Sequence, residues 1–145
     1  MKVLLQRVRE ARVRVDGESI GAIGPGLLLF AGAERDDDDQ VPARMAHRIL
    51  GYRVFADDGG RMNRNVVDAG GELLVVPQFT LAADTRKGTR PSFSSAAPPE
   101  RGELLYQALV NELTHTSVKV ATGRFGADMQ VELINDGPVT FLLEA

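Results

Sequence analysis

Side chains able to act as nucleophile or general base are scarce in this 145-residue chain, which has two histidines and no cysteine. A group-transfer or hydrolytic site needs a nucleophile, an acceptor for its proton and donors for developing charge. His47 falls off the Val41, Met45, Ile49 face of a predicted helix. His115 ends another, where a positive charge is favourable in any case. Both read as structural or surface residues. The lack of cysteine excludes disulfides, thiolate metal ligands and a cysteine nucleophile. No H-x-x-x-H or carboxylate cluster has metal-ligand spacing, and the Asp36 to Asp39 run lacks the spacing and glycine of a calcium loop. Gly21-Ala-Ile-Gly24-Pro-Gly26 lacks the lysine and following helix of a phosphate loop. The expectation is no metal and no cofactor, with chemistry carried by backbone groups or by those of the substrate.

Two segments stand out by placement. Pro77-Gln78-Phe79-Thr80 ends an apolar strand, and Asn135-Asp136-Gly137-Pro138-Val139-Thr140 interrupts two apolar strands with an X-Pro bond. Each can be a plain turn. A Gly-Pro bond can also be cis at modest cost, and a cis peptide held in place fixes the directions of its carbonyls. Basic residues collect at Arg7, Arg9, Arg12 and Arg14, and again at Arg86, Lys87 and Arg90.

The elements that must position these residues follow from periodicity. From Val3 to Val15 the odd positions, with Arg7 and Arg9 among them, share one face of a predicted strand, which carries Arg7 toward the core. An inward arginine needs acceptors, from main-chain carbonyls of a neighbouring strand or the Gly-Pro turn, or from a carboxylate. Asp16-Gly17 marks a hairpin, Ile20 to Ile23 a short strand, and Gly24-Pro25-Gly26 a turn before the apolar run Leu27 to Ala31, so the opening reads as a β-meander. Pro42 suits a first helical turn, and the Val41, Met45, Ile49 spacing predicts a helix to about Tyr52. A loop-rich stretch precedes a buried strand over Glu72 to Val76. Residues 84 to 98 form a loop too long for a simple connection, which points to function or disorder. A second helix spans about Pro99 to His115 with Leu105, Leu109 and Leu113 inward, and strands over Met129 to Asn135 and Val139 to Leu143 close the chain.

One domain over residues 1–145 is expected, with no repeat or linker. No apolar run is long enough to span a membrane, and the start lacks a signal-peptide core, which predicts a cytoplasmic protein. A net charge of −3 with a pI near 5.4 argues against a protein that coats nucleic acid, and leaves room for a small footprint on one.

The strings QRV at Gln6 to Val8, RVF-DD-G-MN from Arg53 to Asn63, QFTL at Gln78 to Leu81, KG-RPSF from Lys87 to Phe93 and FGA-M-V-L-NDGPVTF from Phe125 to Phe141 together resemble the D-aminoacyl-tRNA deacylase family over almost the whole chain. The order and spacing of these strings make the resemblance specific. It implies an α+β fold: a curved, barrel-like sheet with two main helices, in a homodimer with active sites at the interface. The implied reaction is hydrolysis of the ester of D-aminoacyl-tRNA, and of glycyl-tRNA mischarged on tRNA-Ala. The alternative is a non-catalytic module that binds the tRNA 3′ end. Membrane and DNA are not implied partners.

The resemblance also assigns roles. Gln78, Phe79 and Thr80 form the site floor, with backbone amides that receive the ester. Gly137 and Pro138, in cis and inserted from the partner subunit, select chirality, and Arg7 pairs with them. Phe125 and Met129 receive the terminal adenine, and Asn135, Arg86, Lys87 and Arg90 complete the substrate and tRNA contacts. The chain departs from the family at Pro77, where serine is usual, so any role of that hydroxyl is absent.

Overall fold

The computed structural model describes residues 1–145. Its strands and helices follow in the order β1 (Lys2–Val15), β2 (Glu18–Ile23), β3 (Gly26–Gly32), α1 (Val41–Gly51), β4 (Phe55–Ala56), β5 (Met62–Arg64), β6 (Glu72–Pro77), α2 (Pro99–Thr114), β7 (Val120–Thr122) and β8 (Gln130–Glu144). A 3-10 turn, Phe79–Ala82, follows β6 directly.

β1 organises the sheet because it is long enough to serve several partners. Its C-terminal part pairs with β2 through the Asp16-Gly17 hairpin, both residues at positive φ. Its N-terminal part, Lys2 to Val8, pairs on the same side with β3, and β8 runs antiparallel along its other side. The expected meander is therefore corrected: β3 pairs with β1 and not with β2, because the short β2 leaves half of that edge open. β6 then adds parallel to β3, and β7 parallel to β6. The sheet curls until β2 lies against β7, so closely that a Cβ at Gly21 would stand 2.5 Å from the Thr122 carbonyl oxygen. The result is a mixed sheet nearly closed into a barrel, with both helices on one side.

Two apolar clusters explain the continuous hydrophobic runs in β3 and β6. Leu27, Leu29, Leu73 and Val75 face a 21-residue core shared with both helices, including Met45, Ile49, Leu105, Leu109 and Leu113. Leu28, Leu74 and Val76 face the other way into a cluster of 7 with Val8, Val13 and Ile23. Strands buried on both faces have no polar side to alternate with. The alternation in β1 is half right: Val3, Leu5, Ala11 and Val13 are buried, but so is Val8, while the Arg9 side chain is 74% exposed. The register between β1 and β8 shifts on both sides of Val8, which moves the phase there.

No helix is long and apolar enough to cross a membrane. The 84–98 segment is ordered by its own ties: Asp84 and Ser92 exchange two backbone hydrogen bonds, and Ala97 N–H donates to Ala33 at 3.1 Å.

Candidate active site

Pro77 sits where the sheet can tolerate it. The last β6–β7 pair is Val75 with Thr122, and Gln78 N–H donates to the Ala31 carbonyl on the β3 side at 2.8 Å. By strand alternation the missing N–H of Pro77 would point to the β7 side, where β7 has already ended. Beyond it the chain folds into the 3-10 turn, whose first hydrogen bond runs from Leu81 N–H to Gln78 O. The amides of Phe79 and Thr80 precede that ladder. The Gln78 side chain donates to Thr80 Oγ1, and the Phe79 ring, 58% exposed, lies 5.3 Å from that of Phe93.

Gln78 and Phe79 line a cavity of about 260 Å³ with Pro77, Phe125, Met129 and Val131. Gly123 allows this closeness, since a Cβ there would stand 2.8 Å from the Met129 sulfur and 3.2 Å from Pro77 Cδ. Across the wall of Phe79, Phe125 and Gly126 lies a second, mostly apolar cavity of about 210 Å³, bounded by Ala31, Ala33, Ala97, Pro99 and Gly102. Tyr106 from α2 supports both Phe125 and the strand leading to the turn. Its ring packs at 6.2 Å from Phe125, and its buried hydroxyl donates to the Val75 carbonyl at 2.8 Å. Burial pushes the Tyr106 hydroxyl pKa up. Periodicity marked neighbouring Leu105 and Leu109, but nothing in the sequence singled out Tyr106.

Arg7, Asn135, Gly137 and Pro138 line neither cavity. They form a separate constellation where β8 bulges away from β1. The Arg7 side chain, 16% exposed, donates from Nε to the Asp136 carbonyl at 3.0 Å and from Nη1 to the Val54 carbonyl at 2.6 Å. The Asp136 carboxylate is 3.7 Å from Nε, so carbonyls do the main work and a carboxylate assists. Gly137-Pro138 is cis, with Gly137 at φ 138°. Asn135 spends its side-chain amide on the main chain of this bulge. Neither the Val54 carbonyl nor the Asn135 ties were apparent in the sequence, because Val54 lies far along the chain from Arg7 and the tie from Asn135 to Val139 exists only where β8 bulges.

Of the basic loop residues, Arg86 grips Asp84 with two guanidinium bonds of 2.9 and 2.8 Å. Those bonds, with the Arg86 N–H, hold the Asp84 carboxyl well below the usual carboxylate range. Lys87 and Arg90 are exposed and carry no such partner. His115 Nδ1 contacts the Asn111 carbonyl at 2.5 Å at the end of α2, and His47 is exposed on α1. No three histidine, aspartate or glutamate side chains converge to hold a metal ion.

Comparison with known proteins agrees with this architecture. The chain is 63% identical over 142 residues to the D-aminoacyl-tRNA deacylase of Alkalilimnicola ehrlichii, covering 98% of this chain and 95% of that one. It is 61% identical to the D-aminoacyl-tRNA deacylase of Azotobacter vinelandii over the full length of both. Among solved structures, one described as c-Myc DNA Unwinding Element Binding Protein superposes with a TM-score of 0.95 at 40% identity, covering 100% of this chain and 99% of the other. Another, described as a probable eukaryotic D-amino acid tRNA deacylase, has a TM-score of 0.78 at 16% identity, covers 98% of this chain and 97% of its own, and shares the fold. The family model for D-Tyr-tRNA(Tyr) deacylase matches residues 4–144, a span that includes both constellations, and the chain belongs to that family of ester hydrolases.

Proposed function

We propose that the protein hydrolyses the ester joining a D-amino acid to the 3′ end of tRNA, releasing the free D-amino acid and tRNA. The observation that carries this reading is the cavity at the Gln78-Phe79 turn, lined by the Phe125 ring and the Met129 thioether, which are suited to holding a base. In the reaction water oxygen bonds to the acyl carbon, the bond to the ribose oxygen breaks, and that oxygen leaves with a proton. The Phe79 and Thr80 amides donate to the oxyanion that forms between these steps. No protein side chain at the turn is a good general base, so the neighbouring 2′-hydroxyl of the terminal ribose moves the proton. Gln78 braces the turn through Thr80.

Chirality selection falls to Gly137 and Pro138, held by Arg7. An editing enzyme must accept many side chains, so excluding the L configuration serves better than fitting each D residue. Glycyl-tRNA escapes the exclusion because it lacks a side chain. The Gly-Pro turn lines neither cavity of its own chain, which supports its acting on a partner subunit in a two-fold dimer. Ile134, Phe141 and Leu142 on β8, with 49%, 36% and 49% of their surface exposed, supply apolar area for such an interface. Lys87 and Arg90 are the loop cations free to meet phosphates of the 3′ end, in the cytoplasm where charged tRNA resides.

The test is release of free D-amino acid from charged tRNA at substoichiometric purified protein, with a parallel substrate ending in 2′-deoxyadenosine. Many turnovers on the first and almost none on the second are expected. Binding of tRNA without release would leave only a 3′-end binding module, and equal turnover of both would show that the protein supplies the base.

A further inference from the structure

Between β1 and β8 the ladder contains a mismatch. Gln6 faces Thr140 and Val8 faces Asn135, so two steps along β1 correspond to five along β8. The four residues Asp136 to Val139 stand opposite Arg7 alone, bulge out of the ladder and carry Gly137-Pro138. Such a bulge strips main-chain groups of their ladder partners, and they must be satisfied otherwise.

Asn135 supplies the replacement. Its Oδ1 accepts the Val139 N–H at 3.0 Å, and its Nδ2 donates to the Val139 carbonyl at 3.1 Å. Nδ2 also lies 3.4 Å from the Arg7 carbonyl and 3.5 Å from Thr140 Oγ1. One side chain thus pins the far end of the bulge to its near end and to β1. Gln6 Nε2 holds Thr140 Oγ1 at 3.2 Å, and Arg7 holds the opposite flank through the Asp136 carbonyl. Gly137 is packed within this frame, since a Cβ there would stand 3.0 Å from Arg7 Nη2 and 2.7 Å from a Val139 methyl.

We infer that Asn135 is a positioning residue for the Gly137-Pro138 turn, acting through the main chain of the bulge and not by touching tRNA. This rests on the proposal that the turn discriminates D from L. Only a side chain that both donates and accepts can perform the double tie to Val139. Aspartate keeps the acceptor, loses the donor and adds a charge beside Asp136.

The experiment compares the full-length protein with Asn135→Ala, Asn135→Asp and Thr140→Val on D- and L-tyrosyl-tRNA, with uncharged tRNA as the binding probe. A misplacement of roughly 1 Å costs a reaction on the order of 10²-fold. Asn135→Ala is therefore expected to lose on the order of 10²-fold in kcat on the D substrate. KM and tRNA affinity should hold, and the D/L ratio should narrow. Asn135→Asp should change in the same direction, and Thr140→Val less so. Hydrogen exchange should quicken at the Val139 amide in Asn135→Ala and stay slow at Leu74 in the inner core. If the alanine variant does not fold, the other two substitutions carry the test. An unchanged kcat and D/L ratio would overturn the inference, as would a rise in KM and tRNA Kd at constant D/L ratio. Failure of the unsubstituted protein to cleave D-tyrosyl-tRNA would instead overturn the functional proposal, and is seen before any variant is measured.

Discussion

Arg7 joins three parts of the molecule, since its backbone belongs to β1 while its guanidinium holds the carbonyls of Asp136 in the bulge and Val54 after α1. Removing a charged donor from buried acceptors costs about 1.5–3 kcal/mol for such bonds. Arg7→Ala is expected to lower stability by about that amount, measured by urea unfolding, and to slow D-aminoacyl-tRNA cleavage while blurring rejection of L. Full activity with unchanged D/L selectivity would remove Arg7 from the site. The histidines make the opposite case. His115 caps α2 and His47 stands exposed on α1, both apart from the turn after β6. His47→Ala, His115→Ala and treatment with a chelator should each leave the cleavage rate within about twofold, the range of ordinary surface changes of up to about 0.5 kcal/mol. Inward placement of Arg7 was legible because one face of a long strand repeats every second residue. The same rule misplaced Arg9, for between Val8 and Glu10 two steps of β1 meet one step of β8, and this extra residue in β1 flips the phase without any mark in its alternation.

At the scale of elements, the apolar runs of β3 and β6 announced buried strands, and the helix spacings announced α1 and α2 to within a residue or two of their ends. The pairing was less legible. Nothing in the Gly24-Pro25-Gly26 turn states that β3 returns to β1 instead of β2; that depends on the shortness of β2. β7 is only 3 residues long and half-buried, too short to show a period. Tyr106 fastens α2 to β6 across this part of the fold. Burial raises its pKa above the ordinary tyrosine value of about 10, so its neutral form is the one the fold prefers. The unfolded chain ionises first as pH rises. The contribution is thus fully present below pH about 10 and is lost above it, as pH climbs toward the folded value. The unfolding temperature of the native protein should fall above pH about 10, and Tyr106→Phe should soften that fall while lowering stability by roughly 0.5–1.5 kcal/mol near neutral pH, the net worth of one hydrogen bond. Identical alkaline profiles for the two proteins would contradict this role.

For the whole molecule, the proposed function draws on two constellations that stand apart within one chain. One chain holds the Gln78-Phe79-Thr80 turn with its cavity at the end of β6, and a pinned Gly-Pro turn elsewhere, with exposed apolar residues on β8 and at Phe79 and Phe93. The proposed two-fold dimer would join them and make activity depend on association. Sedimentation should show a dimer at assay concentrations, and specific activity should fall on dilution as it dissociates; an active monomer would break the account. The sheet and helices were legible in the sequence from periodicity, whereas the expected division of the site between two chains rested on the family resemblance alone, because no pattern along one chain says which strand faces which cavity. Stereospecific ester hydrolysis is tested most directly by incubating purified protein with D-tyrosyl-tRNA and L-tyrosyl-tRNA charged on the same tRNA and following the ester over time. The D ester should be lost rapidly while the L ester decays no faster than it does without protein. Equal loss of both, or survival of both, would contradict stereospecific hydrolysis.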